Sequence, residues 1–352
     1  MTYVIGVDLG GTKTAAGVVD AAGQLLFQEQ IPTLNRAGAA AILDATAALV
    51  GRLRDRALAD GIRVGAVGMG SAGVIDADSG TVISATDAIL DWAGTGIRDG
   101  LEQRTGLPVR VVNDVHAHAL GEAWLGAGAG SASTLMIAFG TGVGGSFVVG
   151  GKPLLGHHFV AGHLGHFASP YAYDDGCPVP CSCGGSGHVE AIASGPAIHR
   201  TFLRSGGPSS VADTRAVFAL AEGGDQAALR AIGIGAGAAG QAVGGLINIL
   251  DPEVVVIAGG LADAGDLWWK PMERALRAEL LGPLADARVV HATLGNAAAV
   301  VGAASLVLAQ SPTPAQTPTP TLAQSPIQSR TPTADADPET DPDSDSDSEE
   351  LA

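Results

Sequence analysis

The alternation of hydrophobic and polar positions divides the chain into short strands and amphipathic helices. Apolar runs at residues 3–7, 15–19 and 25–30 predict strands, and the DAAG turn at 20–23 predicts a hairpin between the second and the third. Further segments with strand or helix patterns are the predicted strands 64–68, 109–112, 254–258 and 289–292 and the predicted helices 37–58, 115–125, 225–250 and 297–308. Strands that alternate with helices predict an α/β fold.

Composition and charge limit the classes of protein to which the chain can belong. It has 352 residues, 46% of them hydrophobic, which is enough for two domains with sizeable cores. We expect a first domain over 1–114 and a second over 115–295. The formal net charge is −17, and an acidic body argues against a nucleic-acid partner, whose phosphates require a basic face.

The segment 311–352 has a different composition from the rest of the chain. Repeated Thr-Pro and Ser-Pro pairs give way to a run of Asp and Ser, with nine acidic residues and one base. Such a segment has almost nothing to bury and cannot offset the entropy lost on ordering. We therefore expect a disordered acidic tail.

Three observations bear on cellular location. The first residues enter a predicted strand at once, without the basic and apolar regions of a signal peptide. No uninterrupted apolar stretch has the length needed to span a bilayer. The three cysteines lie within residues 177–183, a crowding typical of a metal cluster in a reducing compartment. We expect a cytoplasmic protein with no membrane partner.

The first candidate site is the turn that follows the first predicted strand. Asp8 is followed by Gly10, Gly11, Thr12 and Lys13. Glycines let backbone N–H groups approach a phosphate, and an acid at a strand end can position Mg²⁺ or its waters. A tight hairpin without any ligand is the alternative for such a short motif.

Two more glycine turns favour a nucleotide over that alternative. The apolar stretch from Leu135 ends in Gly140, Thr141 and Gly142, a second strand–glycine–threonine turn. The strand 254–258 ends in Gly259 and Gly260, a surface suited to adenosine, although an ordinary βα turn would look the same. Two similar turns in one chain predict that the phosphates of ATP are bound between them.

Phosphoryl transfer also requires a base near the acceptor hydroxyl. Asn113 and Asp114 lie where a predicted strand ends between the two expected domains. An Asp at this position is often only the N-cap of the next helix. The glycine turns favour the base, so Asp114 is the predicted catalytic residue.

A cluster of His and Cys residues predicts a metal site. Cys181, Cys183 and His188 lie close together, and His166 precedes them. Two thiolates and two imidazoles satisfy a tetrahedral Zn²⁺, which would be structural because no coordination position is left for water. Cys177 is a further candidate ligand. This zinc would hold the loop that carries His163 and Glu190.

Over residues 3–308 these motifs resemble the ROK family of repressors and sugar kinases, in particular its actinobacterial glucokinases. The resemblance rests on DLGGTK, the Asn113-Asp114 pair, GTGVGG, AGHLGH, CSCGGSGHVEAIASG and DPEVVVIAGGL, in that order. It implies a two-domain actin-like ATPase (ribonuclease H-like) fold with an interdomain cleft, the first domain being completed by a C-terminal helix at 296–309. It also implies ATP with Mg²⁺, transfer to a primary hydroxyl of a hexose, and a homo-oligomer, commonly a dimer or tetramer.

The sugar-contacting positions depart from the family pattern. His163 stands where the family has a Glu that holds ring hydroxyls, Thr86-Asp87 replaces a Pro-Asn pair, and His116 replaces an Asn. In the zinc motif, His188 stands where a Cys is usual. Loss of the Glu could weaken a glucose-type ligand by about 1–3 kcal/mol. The predicted substrate-binding residues are Asp87, Asn113, Asp114, His163, His166 and Glu190.

These departures predict intact catalysis on an altered ring. A C7-cyclitol of antibiotic biosynthesis, of the valienone or valiolone type and phosphorylated at its 7-position, ranks ahead of glucose, which would give glucose 6-phosphate. Kanosamine is a further acceptor, with its amine paired to Asp87. A sugar-responsive repressor would need a helix-turn-helix domain ahead of Asp8, where seven residues stand. A sensor without turnover would not need Asp114.

Overall fold

Two five-stranded β-sheets built on one plan organise residues 2–308, which are the residues described by this computed structural model. The strands are β1 (Tyr3–Leu9), β2 (Lys13–Asp20), β3 (Leu25–Pro32), β4 (Val64–Ser71), β5 (Val74–Asp76), β6 (Thr81–Ser84), β7 (Val109–Asn113), β8 (Ser133–Phe139), β9 (Val143–Val149), β10 (Lys152–Pro153), β11 (Tyr173–Asp174), β12 (Cys177–Pro178), β13 (Val254–Ala258) and β14 (Val289–His291). The first sheet has the order β3-β2-β1-β4-β7 and the second has the order β10-β9-β8-β13-β14. In each sheet three strands are antiparallel and the last two run parallel to the central one.

Helices cover both faces of each sheet. They are α1 (Ala39–Ala59), α2 (Ile97–Thr105), α3 (Asp114–Trp124), α4 (Glu190–Ala193), α5 (Gly195–Arg204), α6 (Thr214–Glu222), α7 (Gln226–Leu250), α8 (Asp266–Glu279) and α9 (Ala298–Ser305). Helices α1 and α2 cover one face of the first sheet and α9 covers the other. Helix α3 packs on the second sheet, and α4 to α8 form the core on its opposite face. The period of two in β1 follows from this layering, since Val4 faces α9 while Ile5 and Val7 face α1.

The structure confirms the predicted α/β fold. The predicted strand 254–258 is β13, and the other predicted strands and helices fall within a few residues of observed elements. The predicted C-terminal helix is shorter than expected, because α9 ends at Ser305. The division at residue 114 stays a prediction. Helix α3 begins there and packs against strands of both sheets. The tail predicted over 311–352 lies outside the described residues.

Glycines allow α3 and α9 to cross at very short distance. A Cβ on Gly302 of α9 would overlap the carbonyl oxygen of Ala117, and one on Gly121 of α3 would overlap that of Ala298. Gly6 of β1 likewise lies against the backbone of α9. Small side chains along α9 are therefore required by the packing of two helices between two sheets.

The far end of α3 is fixed by a buried carboxylate. Glu122 is fully buried and accepts hydrogen bonds from the backbone N–H groups of Ala127 at 3.0 Å, Thr293 at 3.1 Å and Leu294 at 2.8 Å. These donors satisfy the carboxylate in place of water. The side chain thus joins the end of α3 to the segment that leads into α9.

Helix α7 corrects the expectation that no stretch could span a bilayer. Its 25 residues are long and apolar enough to do so by length and composition. However, 61% of its most apolar window is buried inside the fold, as is usual for a core helix. The helix therefore carries no argument for a membrane.

Candidate active site

The predicted base lies at the junction of β7 and α3. Asn113 is the N-cap, and its Oδ1 accepts a hydrogen bond from Val115 N at 2.9 Å. Its Nδ2 donates to Gly73 O at 2.8 Å. Asp114 is the first helical residue, and its Oδ1 also accepts from Val115 N, at 2.8 Å. The capping geometry therefore falls on Asn113, which leaves Asp114 at the helix start for other chemistry.

The strand register places Asp8 and Asp114 at the same edge of the first sheet. Asp8 pairs with Gly70 on β4, and the following residues of the two parallel ladders lead to Asn113 at the end of β7. A Cβ on Gly70 would lie 3.3 Å from Asp114 Cα. The absence of a side chain at Gly70 thus lets α3 begin close to β4.

The environment of these two carboxyl groups raises the pKa of both. Burial, together with the nearby Asp8 carboxylate, raises the pKa of Asp114 from 3.8 to about 7. Burial also raises the pKa of Asp8 to about 6, against the opposing effect of the Lys13 ammonium. A carboxyl that titrates near neutral pH is suited to accept a proton from an alcohol.

The first glycine turn joins β1 to β2 and is held by a hydrogen bond from a residue that follows β3. Gly10 N donates to Lys13 O at 3.0 Å, and Thr33 Oγ1 donates to Gly10 O at 2.8 Å. The side chains of Thr12 and Lys13 are exposed. The sequence analysis missed Thr33, which is separated from the turn by two strands and carries no motif of its own.

The second and third glycine turns lie side by side. Strand β8 runs parallel to β13, so the turns that follow them share one edge of the second sheet. Gly259 has φ +88° and lies against the backbone of Phe139, which precedes Gly140. Leu261 N donates to Phe139 O at 3.0 Å. Thr141, at the tip of the second turn, is exposed.

Contacts of α3 connect the second turn to the predicted base. A Cβ on Gly144, near the start of β9, would lie 3.3 Å from a methyl group of Val115, the residue after Asp114. Asp114 is therefore at the start of a helix that contacts the strands of both glycine–threonine turns. Asp114 is only partly buried, so part of the residue remains accessible to solvent.

Glu190 lies between the second glycine turn and the cysteine loop, which is the segment that contains Cys181 and Cys183. Its Oε2 accepts from Val143 N at 2.8 Å, and a Cβ on Gly142 would lie 2.7 Å from the same oxygen. Its Oε1 accepts a short hydrogen bond from Ser182 Oγ. Glu190 was predicted to bind substrate. In this structure both of its oxygens accept from protein donors, a link that sequence spacing does not reveal.

The four predicted metal ligands come together. The ligand atoms of His166, Cys181, Cys183 and His188 all lie within 4.8 Å of one another. Sγ of Cys181 lies 3.6 Å from His166 Nδ1, and Sγ of Cys183 lies 3.3 Å from His188 Nδ1. Two sulfur and two nitrogen donors at these separations fit a tetrahedral Zn²⁺. Cys177 is exposed in β12 and is not a member of this group.

Two histidines define the loop that precedes the cluster. His163 is exposed, its Nδ1–H donates to Val160 O at 2.9 Å, and its ring centroid lies 6.2 Å from that of His166. His116 on α3 is buried, and its Nε2–H donates to Ala161 O at 2.8 Å. Burial lowers the pKa of His116, against the opposing effect of its hydrogen bond to Ala161 O.

The loop after β6 brings Asp87 to the first turn. Asp87 is exposed, and the methyl group of its neighbour Ala88 would lie 3.2 Å from a Cβ on Gly11. Trp92 is buried and its Nε1 donates to Ala72 O at 3.2 Å, just beyond the end of β4. The loop is therefore anchored beside the edge of the first sheet at which Asp8 and Asp114 lie.

Comparison with known proteins agrees with this arrangement. Residues 4–310 match the ROK family. A glucokinase of Halalkalibacterium halodurans is 36% identical over 316 residues, which is 85% of this chain and 93% of that protein. Because the match spans nearly the whole chain, the protein belongs to the ROK family.

Solved structures lead to the same conclusion. A ROK hexokinase from Thermus thermophilus superposes with a TM-score of 0.75 at 35% identity, covering 86% of this chain and 97% of that one. A ROK glucokinase from Streptomyces griseus, in complex with glucose and AMPPNP, gives 0.71 at 34% identity, with 86% and 98% covered. The predictions of an actin-like ATPase fold and of an ATP-dependent sugar kinase are confirmed.

Proposed function

We propose that this kinase phosphorylates the primary hydroxymethyl group of a glucose-like ring, with a C7-cyclitol of antibiotic biosynthesis preferred over glucose. The observation that carries the reaction is Asp114, partly buried at the start of α3, with a pKa raised to about 7. Its carboxylate accepts the hydroxyl proton as the acceptor oxygen attacks the γ-phosphorus, and ADP leaves.

The nucleotide side of the proposal uses the three glycine turns. Asp8 would position Mg²⁺, which neutralises charge on the transferred phosphoryl group. Residues proposed to contact the phosphates are Gly10, Gly11, Thr12, Lys13, Gly140, Thr141 and Gly142. Gly259 and Gly260 would support the adenosine, because they adjoin the second turn.

The acceptor side rests on His163. A carboxylate can accept hydrogen bonds at two oxygens, whereas an imidazole with Nδ1–H bound to Val160 O offers only Nε2. One ring hydroxyl fewer can be held at this position. A C7-cyclitol has no anomeric hydroxyl and so loses less than glucose. We propose that Asp87, Asn113, His166 and Glu190 complete the substrate side.

Glucose is the second candidate acceptor, since the S. griseus structure named above contains glucose. Purified protein with ATP should be assayed against glucose, kanosamine and valienone- or valiolone-type cyclitols, comparing kcat/KM. We expect the cyclitol to be phosphorylated most efficiently.

His163→Glu should raise kcat/KM for glucose by about five- to a hundredfold. The matched change His157→Glu, on the same exposed loop, should leave it unchanged. If the unaltered protein is most efficient on glucose, the cyclitol proposal is rejected. If kanosamine is the best acceptor, the cyclitol is likewise rejected and pairing of the amine with Asp87 is favoured.

The raised pKa of Asp114 predicts a pH profile. The base must be ionised, and kcat/KM reports the free enzyme, so activity should be constant above pH about 7 and fall about tenfold per pH unit below it. Initial rates between about pH 5.5 and 9 would measure this. A kcat/KM that stays constant down to about pH 5.5 would indicate a base with the ordinary carboxyl pKa near 4 and would contradict the raised pKa of Asp114.

We further propose that His166, Cys181, Cys183 and His188 hold a structural zinc ion. The protein should contain about one zinc per chain, and Cys181→Ser should lose it and melt at a lower temperature because a ligand is removed. Cys177→Ser is the control and should keep both metal and stability, since Cys177 is not part of the cluster. Elemental analysis and thermal melts would decide. Loss of zinc from the Cys177 variant would contradict this ligand set.

The remaining expectations stay proposals. A cytoplasmic homo-oligomer would be tested by fractionation and by light scattering. Two domains meeting at residue 114 would be tested by limited proteolysis, with and without nucleotide.

A further inference from the structure

Ser182 stands between two of the clustered cysteines and serves neither as a metal donor nor as a core residue. Its side chain is exposed, and its hydroxyl donates a short hydrogen bond to Oε1 of Glu190. Cys181 and Cys183 on either side are two of the four residues whose ligand atoms converge. The hydroxyl is carried by a tight turn, in which Gly184 N donates to Cys181 O at 3.1 Å.

The other oxygen of Glu190 reaches the second glycine turn. Oε2 accepts from Val143 N at 2.8 Å, and Gly142 leaves room for it, since a Cβ there would lie only 2.7 Å away. Glu190 itself is fixed at the start of α4 by its own N–H, which donates to Gly165 O at 2.9 Å. The carboxylate thus spans from the cysteine loop to the turn that includes Gly142.

We propose that Ser182 is a positioning residue that acts through Glu190 to hold the second glycine turn ready for the phosphates of the nucleotide. The inference rests on the proposed function, in that this turn contacts ATP. The hydroxyl fixes the rotamer of the carboxylate, and the carboxylate fixes the N–H of Val143 and the backbone before it. Without the hydroxyl, Glu190 keeps one partner and can turn away from Val143, so the turn must be ordered when the nucleotide binds.

Three variants of the full-length, metal-loaded protein test this role. Ser182→Ala removes the hydroxyl, Ser182→Thr retains it, and Ser186→Ala makes the same deletion in the same glycine-rich loop. The measurements are the Kd for a non-hydrolysable ATP analogue by calorimetry, the zinc content and the melting temperature. We expect Ser182→Ala to raise Kd about three- to tenfold, with zinc content and melting temperature unchanged. Ser182→Thr and Ser186→Ala should bind as the unaltered protein does.

A double-variant cycle separates positioning from a general effect. In a Glu190→Gln background, Ser182→Ala should cause little further loss of nucleotide affinity, because the two side chains act in series. Unchanged Kd in Ser182→Ala overturns the proposal, and so does a weaker Kd that comes with loss of zinc or of thermal stability. If the unaltered protein does not bind the analogue at all, the proposed function fails instead, which is a different result.

Discussion

Asp114→Asn should lower kcat by about 10²–10⁴-fold while leaving nucleotide binding intact. Asparagine keeps the shape of the side chain and an oxygen that can accept from Val115 N, as Oδ1 does at 2.8 Å. It cannot accept the proton of the acceptor hydroxyl. Single-turnover rates and calorimetric titration with ATP would measure the two effects separately.

The stability of this variant provides a control with a defined sign. Burial raises the pKa of Asp114 to about 7, so folding favours its protonated form. That contribution to stability is complete below the ordinary pKa near 4 and is lost as the pH rises through 7. The neutral asparagine should therefore make the protein no less stable at pH 8. Asp55→Asn, at an exposed position of α1, should change neither activity nor melting. An Asp114→Asn enzyme with full kcat would exclude this residue as the base.

Gly302→Ala should destabilise the fold by about 3 kcal/mol or more. The new methyl group would overlap the backbone carbonyl of Ala117 and lie 2.5 Å from Gly121 N, and neither backbone can yield without separating α3 from α9. Urea unfolding followed by circular dichroism would measure the change. The activity should fall as well, because Asp114 is carried by α3.

Gly51→Ala is the matched control for that experiment. Gly51 is also a helical glycine, in α1, but a Cβ there would meet nothing within 4 Å. Alanine is a better helix former than glycine by about 1 kcal/mol, so this variant should be slightly more stable. Equal unfolding midpoints for Gly302→Ala and the unaltered protein would show that the two helices do not approach as described.

Sequence patterns predicted best those elements in which the pattern of apolar residues agrees with the burial along the whole element. Strand β13 is apolar throughout and buried on both faces, so its bounds could be predicted residue by residue. Strand β9 was not predicted as a separate element. Its Gly144 and Gly145 lower strand propensity, and Gly145 is required because a Cβ there would overlap Met136 O and lie 2.6 Å from a Leu164 methyl group. That requirement is tertiary and cannot be recognised from local pattern.

The candidate site shows the same limit. The glycine turns and the Asn113-Asp114 pair could be located because each lies at the end of a predicted strand. Sequence spacing left open whether Cys177 joins the cluster, and the structure leaves it outside. The contact of Glu190 with Val143 joins residues 47 positions apart, and no periodicity predicts it. Which residue caps α3 was likewise decided by backbone geometry, with Asn113 in an extended conformation.

Hydrogen bonds at both ends of α3 fix the place of the helix in the fold. Asn113 ties its first turn to Gly73 O, and the buried Glu122 ties its last turn to the strand-to-helix connection at Thr293 and Leu294. Because both ends of α3 are attached in this way, the helix holds the carboxylate of Asp114 in one place. Any substrate of this site must therefore be brought to a proton acceptor whose place is fixed by the first sheet and by the segment that leads into α9.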